Sequence, residues 1–477
     1  MFGKNSEIVV LGAGLAGLAA GSVLSRAGAR IKVIEGGPVV GGLARTMDHR
    51  GFKFDLGGHR FITKSDRIER FLLDLLGSDL LTVPRKSSIY MRGKYFDYPL
   101  KPANALFGLG VHTTLRILAD YCSQRAKNAF RQPAIVSLED WVVHSFGRRM
   151  FDLYFQEYSE KVWGIPCGNI SMEWVAKRIE GLSLGKAIKN AFSKRSGRDI
   201  HTLADRFLYP PAGIGLISDR LKQEIERENT ILTGTRVIRL RHEDFTVTSA
   251  MVRSGDTLAD IEGGDYVSSI PLTNFVKMLH PAPPDDVREA ADRLRYRDLV
   301  VVTVMLDRER VTDLTWMYLP EKHIPFGRVH EPKNWSPFMA PEGKTHLVAE
   351  YFCFRGDEVW RSSDEGLAAL TVKHLFNMGF IEEREVIDSC VIRVPNAYPI
   401  LDVGYSEHHD RIMAYLKQFR NLRVVGRGGT FQYLNMDHAI ASGIEAAEAI
   451  LRKAPADIDT PGHFQQPEPA LAESARR

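Results

Sequence analysis

Gly12, Gly14 and Gly17, followed by Glu35, are the residues whose types and spacing most directly carry chemistry in this chain. A glycine straight after the apolar run Ile8 to Leu11 permits a tight turn. A second lets the backbone approach a pyrophosphate, and a third lets the next helix sit close on a sheet. A carboxylate about 20 residues further on can accept hydrogen bonds from an adenosine ribose. The chemistry is recognition of a dinucleotide. The elements that must position it run in unbroken order through IVVLGAGLAGLAAGSVLSRAGARIKVIE as strand, glycine turn, helix, strand and acid.

Length and composition fit a large protein of two or three lobes. Its 477 residues, 44% of them hydrophobic, can bury a sizeable core and should divide into lobes. A formal net charge of +4 is too mild to indicate nucleic acid, yet it suits a site that receives an anion. Cys122, Cys167, Cys353 and Cys390 are scattered with no CxxC pair, which points to neither disulfides nor a metal site and to a cytoplasmic location. No apolar run is long enough for a transmembrane segment. Helical spacing dominates 100–195, strands are expected in TILTGTRVIRLRHED and GDYVSSIPL, and LVVVTVMLD from Leu299 reads as a buried strand. The basic stretch 185–206 reads as a solvated face, or alternatively a phosphate-binding loop, and the tail 453–477 as poorly ordered.

These readings give an α/β fold: a Rossmann-type domain with an inserted helical lobe and a substrate-facing antiparallel β-sheet. The expected division is 1–99 and 206–272 in the dinucleotide domain, 100–205 in the helical lobe, 273–400 in the sheet domain, and 401–452 returning to the dinucleotide domain.

Several separated segments then carry a family resemblance. Past Glu35, the turn GGPVVGGLARTM with Gly42 and Arg45 resembles flavoproteins of the amine oxidase and protoporphyrinogen oxidase type, which implies FAD. FDLGGHRF, holding Gly57, Gly58 and His59, resembles the FDxGGH loop that passes the flavin in UDP-galactopyranose mutases. YSEKVWGIP resembles their YTxKQW stretch, which makes Trp163 a sugar platform. RYRDL around Arg297 resembles a segment whose arginine contacts the substrate diphosphate, and IPFGRVHEPKNW brings Arg328 into the substrate set. AYPI supplies Tyr398, and GRGGTFQYLNMD supplies Gly426, Arg427, Tyr433, Asn435, Met436 and Asp437. Asn435 stands where the mutases carry an aspartate. Asp437 could equally cap the helix that follows it.

The resemblance implies a pyranose-furanose mutase of a nucleotide-activated sugar. Reduced FAD, primed by NAD(P)H or another reductant, would act as nucleophile with no net oxidation. His59, Arg297, Arg427, Tyr398 and Tyr433 would be catalytic, and Trp163 and Arg328 would bind substrate. Arg427 could instead serve the flavin phosphates. A homodimer is compatible with this reading. The alternative is a flavin oxidoreductase, an oxidase or desaturase of the same broad group.

Overall fold

The computed structural model describes residues 7–98, 110–130, 134–173 and 206–452. The basic stretch 185–205 and the tail 453–477 lie outside them. Two compact units emerge, one drawn from Met1–Gly42, Leu221–Ala291 and Asp410–Arg477, the other from Leu43–Arg220 and Asp292–His409.

The first unit is the Rossmann-type domain. Five short parallel strands lie in the order Leu422–Val424, Asp265–Ser268, Ile8–Leu11, Ile31–Ile34 and Thr230–Leu232. Ile8–Leu11 is apolar throughout and buried throughout, as a central parallel strand must be. Helix Leu15–Arg26 follows it at once, with Gly14 at its N-cap and no side chain capping the free amides. Helix Met436–Leu451 packs on that helix so closely that a Cβ on Gly443 would overlap the carbonyl of Ala16. A four-stranded sheet, built mainly from the antiparallel meander Thr235–Glu243, Thr246–Ser254 and Thr257–Glu262, completes the unit.

The second unit is organised by a seven-stranded sheet in the order Val386–Pro399, Tyr296–Leu306, Thr345–Cys353, Arg328–His330, Trp316–Tyr318, Ser87–Met91 and Lys94–Tyr98. Its pairings are antiparallel except where Trp316–Tyr318 runs parallel to Ser87–Met91. Tyr296–Leu306 is buried at all eleven positions, as expected for the β-branched run beginning at Leu299. One face of the sheet carries Val300, Val302, Met317, Val329, Ala349 and Tyr351 into an apolar core, to which helix Asp364–Asn377 contributes Leu367 and Leu375. Alternation then sends Trp316, Tyr318, Arg328, His330, Glu350 and Phe352 to the opposite face. Helices Val111–Phe130, Leu138–Phe146 and Gln156–Trp163 belong to this unit. So does strand Arg206–Tyr209, which pairs with Leu81–Pro84; the chain therefore re-enters the first unit at Leu221 instead of at 206, and leaves it at Ala291 instead of at 272. Among the described residues, no helix is long and apolar enough to cross a membrane.

Candidate active site

The glycine turn has the geometry its spacing predicts. Gly12 sits at φ +100°, and any side chain there would collide with Ser269. A Cβ on Gly17 would overlap the carbonyl oxygen of Gly12, which explains why the helix can lie so near the strand. Gly42, at φ +58°, approaches Gly14 closely enough that its own Cβ would stand 3.1 Å from the Gly14 Cα. Glu35 adds something the spacing did not reveal. Its carboxylate accepts from the Ala13 amide at 2.8 Å and the Gly37 amide at 2.7 Å, so it braces both glycine turns, with lone pairs left over for a ribose. Arg45 is half-buried just beyond, its carbonyl accepting from the Leu56 amide at 3.3 Å.

In the same unit, Gly426 adopts φ +73° and donates its N–H to the Ser442 hydroxyl at 3.0 Å. Arg427 donates to the Leu434 carbonyl at 2.7 Å and lies over the Tyr433 ring at 5.1 Å. Asn435 is the N-cap of helix Met436–Leu451 but makes no capping bond through its side chain. Asp437 is buried at the first turn, where Oδ1 has no hydrogen-bond donor and stands 3.4 Å from His438 Nδ1. Glycine backbones at two turns, two helix N-termini without side-chain caps and a buried carboxylate oxygen awaiting a donor suit a bound dinucleotide. Gly12, Gly14, Gly42 and Glu35 would hold its pyrophosphate and ribose.

The second unit assembles a polar cluster on one sheet face. Thr345–Cys353 is apolar around a single acid, Glu350, which is 0% exposed. Its Oε1 accepts from the Gly58 amide at 3.1 Å, and its Oε2 meets the Arg328 guanidinium at 3.3 Å, across a directly paired register. Burial pushes the Glu350 carboxyl up, and the charge of Arg328 opposes that rise. Arg328 also donates from Nε to the Tyr158 hydroxyl at 3.0 Å and from Nη1 to the Tyr398 hydroxyl at 3.5 Å. Its guanidinium faces Phe352 at 4.8 Å and Trp316 at 5.5 Å. Burial raises the Tyr158 phenol well above its usual range, so that hydroxyl stays protonated. The His330 ring lies nearly parallel to those of Trp316, at 5.4 Å, and Trp335, at 4.8 Å. Complete burial, with neighbouring His346, holds its imidazole neutral.

Gly57, at φ +96°, turns the loop under this cluster. A Cβ on Gly58 would overlap the Trp316 ring, so on the protein side the glycine is required by a tryptophan. His59 Nδ1 lies 3.1 Å from the Gly57 carbonyl.

Two expected residues are placed differently. Arg297 is 5% exposed, and its guanidinium donates to the carbonyls of Val162 at 3.1 Å, Lys161 at 3.2 Å and Phe352 at 2.8 Å. The cation is thereby committed to the last turn of helix Gln156–Trp163, whose carbonyls have no partners within the helix. With the Asp357 carboxylate 3.7 Å away, the side chain acts as a clamp on the helix end, a role its motif did not suggest. Trp163 is buried beside that clamp at the end of its helix, whereas the tryptophan against the cationic cluster is Trp316. Sequence reasoning missed Glu350, Tyr158 and Trp316. The signal available was a lone acid inside the apolar run HLVAEYFC.

Comparison with known proteins places these arrangements. The probable UDP-galactopyranose mutase of Klebsiella pneumoniae is 20% identical over 469 residues, covering 94% of this chain and 95% of its own. A crystal structure of reduced UDP-galactopyranose mutase superposes with a TM-score of 0.82 at 21% identity, covering 94% of this chain and 96% of that one. A putative protoporphyrinogen oxidase from an Exiguobacterium species follows at 0.73 and 18% identity, covering 94% and 99%. At these identities the likeness establishes the FAD-binding fold of the mutases, with its parallel and antiparallel sheets. Residues 15–451 match one family along almost the whole chain. The protein belongs to the flavin containing amine oxidoreductases, a family of flavin enzymes.

Proposed function

We propose that this flavoenzyme isomerises the sugar of a nucleotide-activated sugar between pyranose and furanose forms, without net oxidation. The observation that carries the reading is the face around Arg328. A cation fixed by two phenols and one carboxylate, walled by Trp316 and Phe352, suits a sugar diphosphate better than an apolar amine or lipid. The likeness to UDP-galactopyranose mutase over nearly the full length of both chains supports it.

The chemistry FAD supplies when bound in its reduced form is a nitrogen nucleophile for the anomeric carbon, regenerated without net electron transfer. The residues do the rest. Arg328 offsets the charge that develops on a departing diphosphate. The Tyr158 and Tyr398 hydroxyls hold Arg328 and hydrogen-bond sugar or phosphate oxygens. Glu350 fixes Arg328 and the Gly58 amide together, so the glycine loop and the cation keep one spacing. His59 is placed on that loop to line the site. Arg427, steadied by the Leu434 carbonyl and the Tyr433 ring, serves phosphate oxygens of flavin or substrate.

The test is to incubate dithionite-reduced enzyme with a panel of nucleotide sugars and follow the products by chromatography. An isomer should form with the flavin still reduced and no stoichiometric use of NAD(P)H. Anaerobic bleaching of oxidised flavin by a substrate, with no isomer formed, would refute the mutase reading in favour of an oxidase or desaturase.

A further inference from the structure

Arg60 and Arg85 are absorbed by none of the roles above. Their guanidiniums converge on one hydroxyl: Arg60 Nη1 and Arg85 Nε each lie 3.4 Å from the Ser87 Oγ. Ser87 is 8% exposed, and both arginines are half-buried. Among the described side chains, neither arginine forms an ion pair with a carboxylate; Glu350, the acid whose charge reaches Arg60, already pairs with Arg328. Aromatic rings surround the pair instead. Arg60 lies 4.7 Å from the Trp316 ring and hydrogen-bonds the Tyr318 side chain, Arg85 lies 5.2 Å from the Tyr98 ring, and Tyr98 packs on Tyr318 at 4.5 Å.

Two like charges held together in a partly dry setting repel one another, and the strand pairing fixes them there. Ser87 is registered against both Trp316 and Tyr98, so the hydroxyl and the two rings cannot drift apart. Rings supply only a weak partial charge to each cation, of the order of 1 kcal/mol at a partly exposed site. The arrangement is completed by an anion of two charges.

We propose that Arg60, Arg85 and Ser87 form a binding site for a phosphoryl group, separate from the Arg328–Glu350 pair. The guanidinium N–H groups not spent on Ser87, with the hydroxyl proton of that serine, suit the oxygens of a tetrahedral dianion. A carboxylate is planar and carries one charge, so a single arginine satisfies it. The site shares the Trp316 ring with the Arg328 face, but its donors, Arg60, Arg85 and Ser87, are none of those assigned to turnover.

Isothermal titration calorimetry of the FAD-loaded protein with inorganic phosphate tests the assignment. One saturable site per chain is expected, with acetate giving none. Arg60→Gln and Arg85→Gln should each weaken binding tenfold or more, and Arg60→Lys should recover part of the loss. Arg328→Gln should change it less than threefold. Arg85 lies in the short link between Leu81–Pro84 and Ser87–Met91, so Arg85→Gln gives the answer even if Arg60→Gln does not fold. Absent saturable binding, wild-type affinity in Arg85→Gln, equal binding of acetate, or loss confined to Arg328→Gln would each overturn the proposal.

Discussion

Arg297 lets the local geometry be tested against the motif it resembles. Truncation to alanine would strip donors from three carbonyls, those of Lys161, Val162 and Phe352, at a position only 5% open to solvent. A hydrogen bond from a charged donor contributes about 1.5–3 kcal/mol, but water entering the vacated space recovers part of each. The Phe354 ring, 4.3 Å from the guanidinium, loses its cation as well. A net cost of about 3–5 kcal/mol follows, the range expected for breaking a buried charged network. For a chain of this size that is a fall in thermal midpoint of roughly 3–5 °C. Urea and thermal unfolding should be followed at saturating FAD, so that lost cofactor does not mimic lost packing. Arg297→Lys, which can reach one of the carbonyls, should recover part of the stability. If Arg297→Ala unfolds within about 0.5 kcal/mol of wild type yet binds a diphosphate ligand far more weakly, the clamp reading is wrong and the guanidinium faces substrate.

Three more outcomes follow from the same geometry. Burial pushes the Asp55 carboxyl up to about 7, against the hydrogen bonds it accepts from Thr46, Tyr209 and the Ile214 amide. With its folded pKa above its unfolded one, the folded state holds the extra proton, so this contribution to stability is full below about pH 4 and declines as pH rises to about 7. Asp55→Asn should flatten that slope in urea midpoints taken at pH 5 and pH 8, and an unchanged slope would assign the decline to other groups. Glu35→Ala should loosen FAD by roughly ten- to a hundredfold, since it removes the brace on the Ala13 and Gly37 amides as well as a ribose acceptor; an unaltered FAD dissociation constant counts against the brace. Gly58→Ala puts a methyl group into the Trp316 ring and should cost about 1–3 kcal/mol or more, read as a lowered thermal midpoint, whereas a wild-type midpoint would mean the ring is free to move aside.

What could be read from sequence was what is local. Gly12, Gly17 and Gly42 declare themselves because each sits where a Cβ has no room, within one turn and the elements beside it. The long strand from Leu299 was legible because a β-branched run fits a sheet interior. The carbonyl contacts of Arg297 were not legible because the direction of its side chain depends on a register shift between Arg297 and Leu299 against Val386–Pro399, which no spacing in the chain records. Trp316 and Tyr158 join the cluster through pairing among strands and a helix far apart in sequence. Glu350 was the exception, a charge placed inside an apolar strand, where only a buried partner makes it tolerable.

The order in which the Rossmann sheet closes has a consequence for how the protein is made. Ile8–Leu11 and Ile31–Ile34 emerge from the ribosome first, but their flanking partners are Thr230–Leu232 and Asp265–Ser268. The helix contact between Ala16 and Gly443 waits longest. About 430 residues of synthesis separate the two, roughly 20–85 s at about 5–20 residues per second. Throughout that interval a nascent strand–helix–strand unit with two parallel strands presents both edges and one uncovered helix face. The newborn chain thus exposes an adhesive surface long before it can bury it.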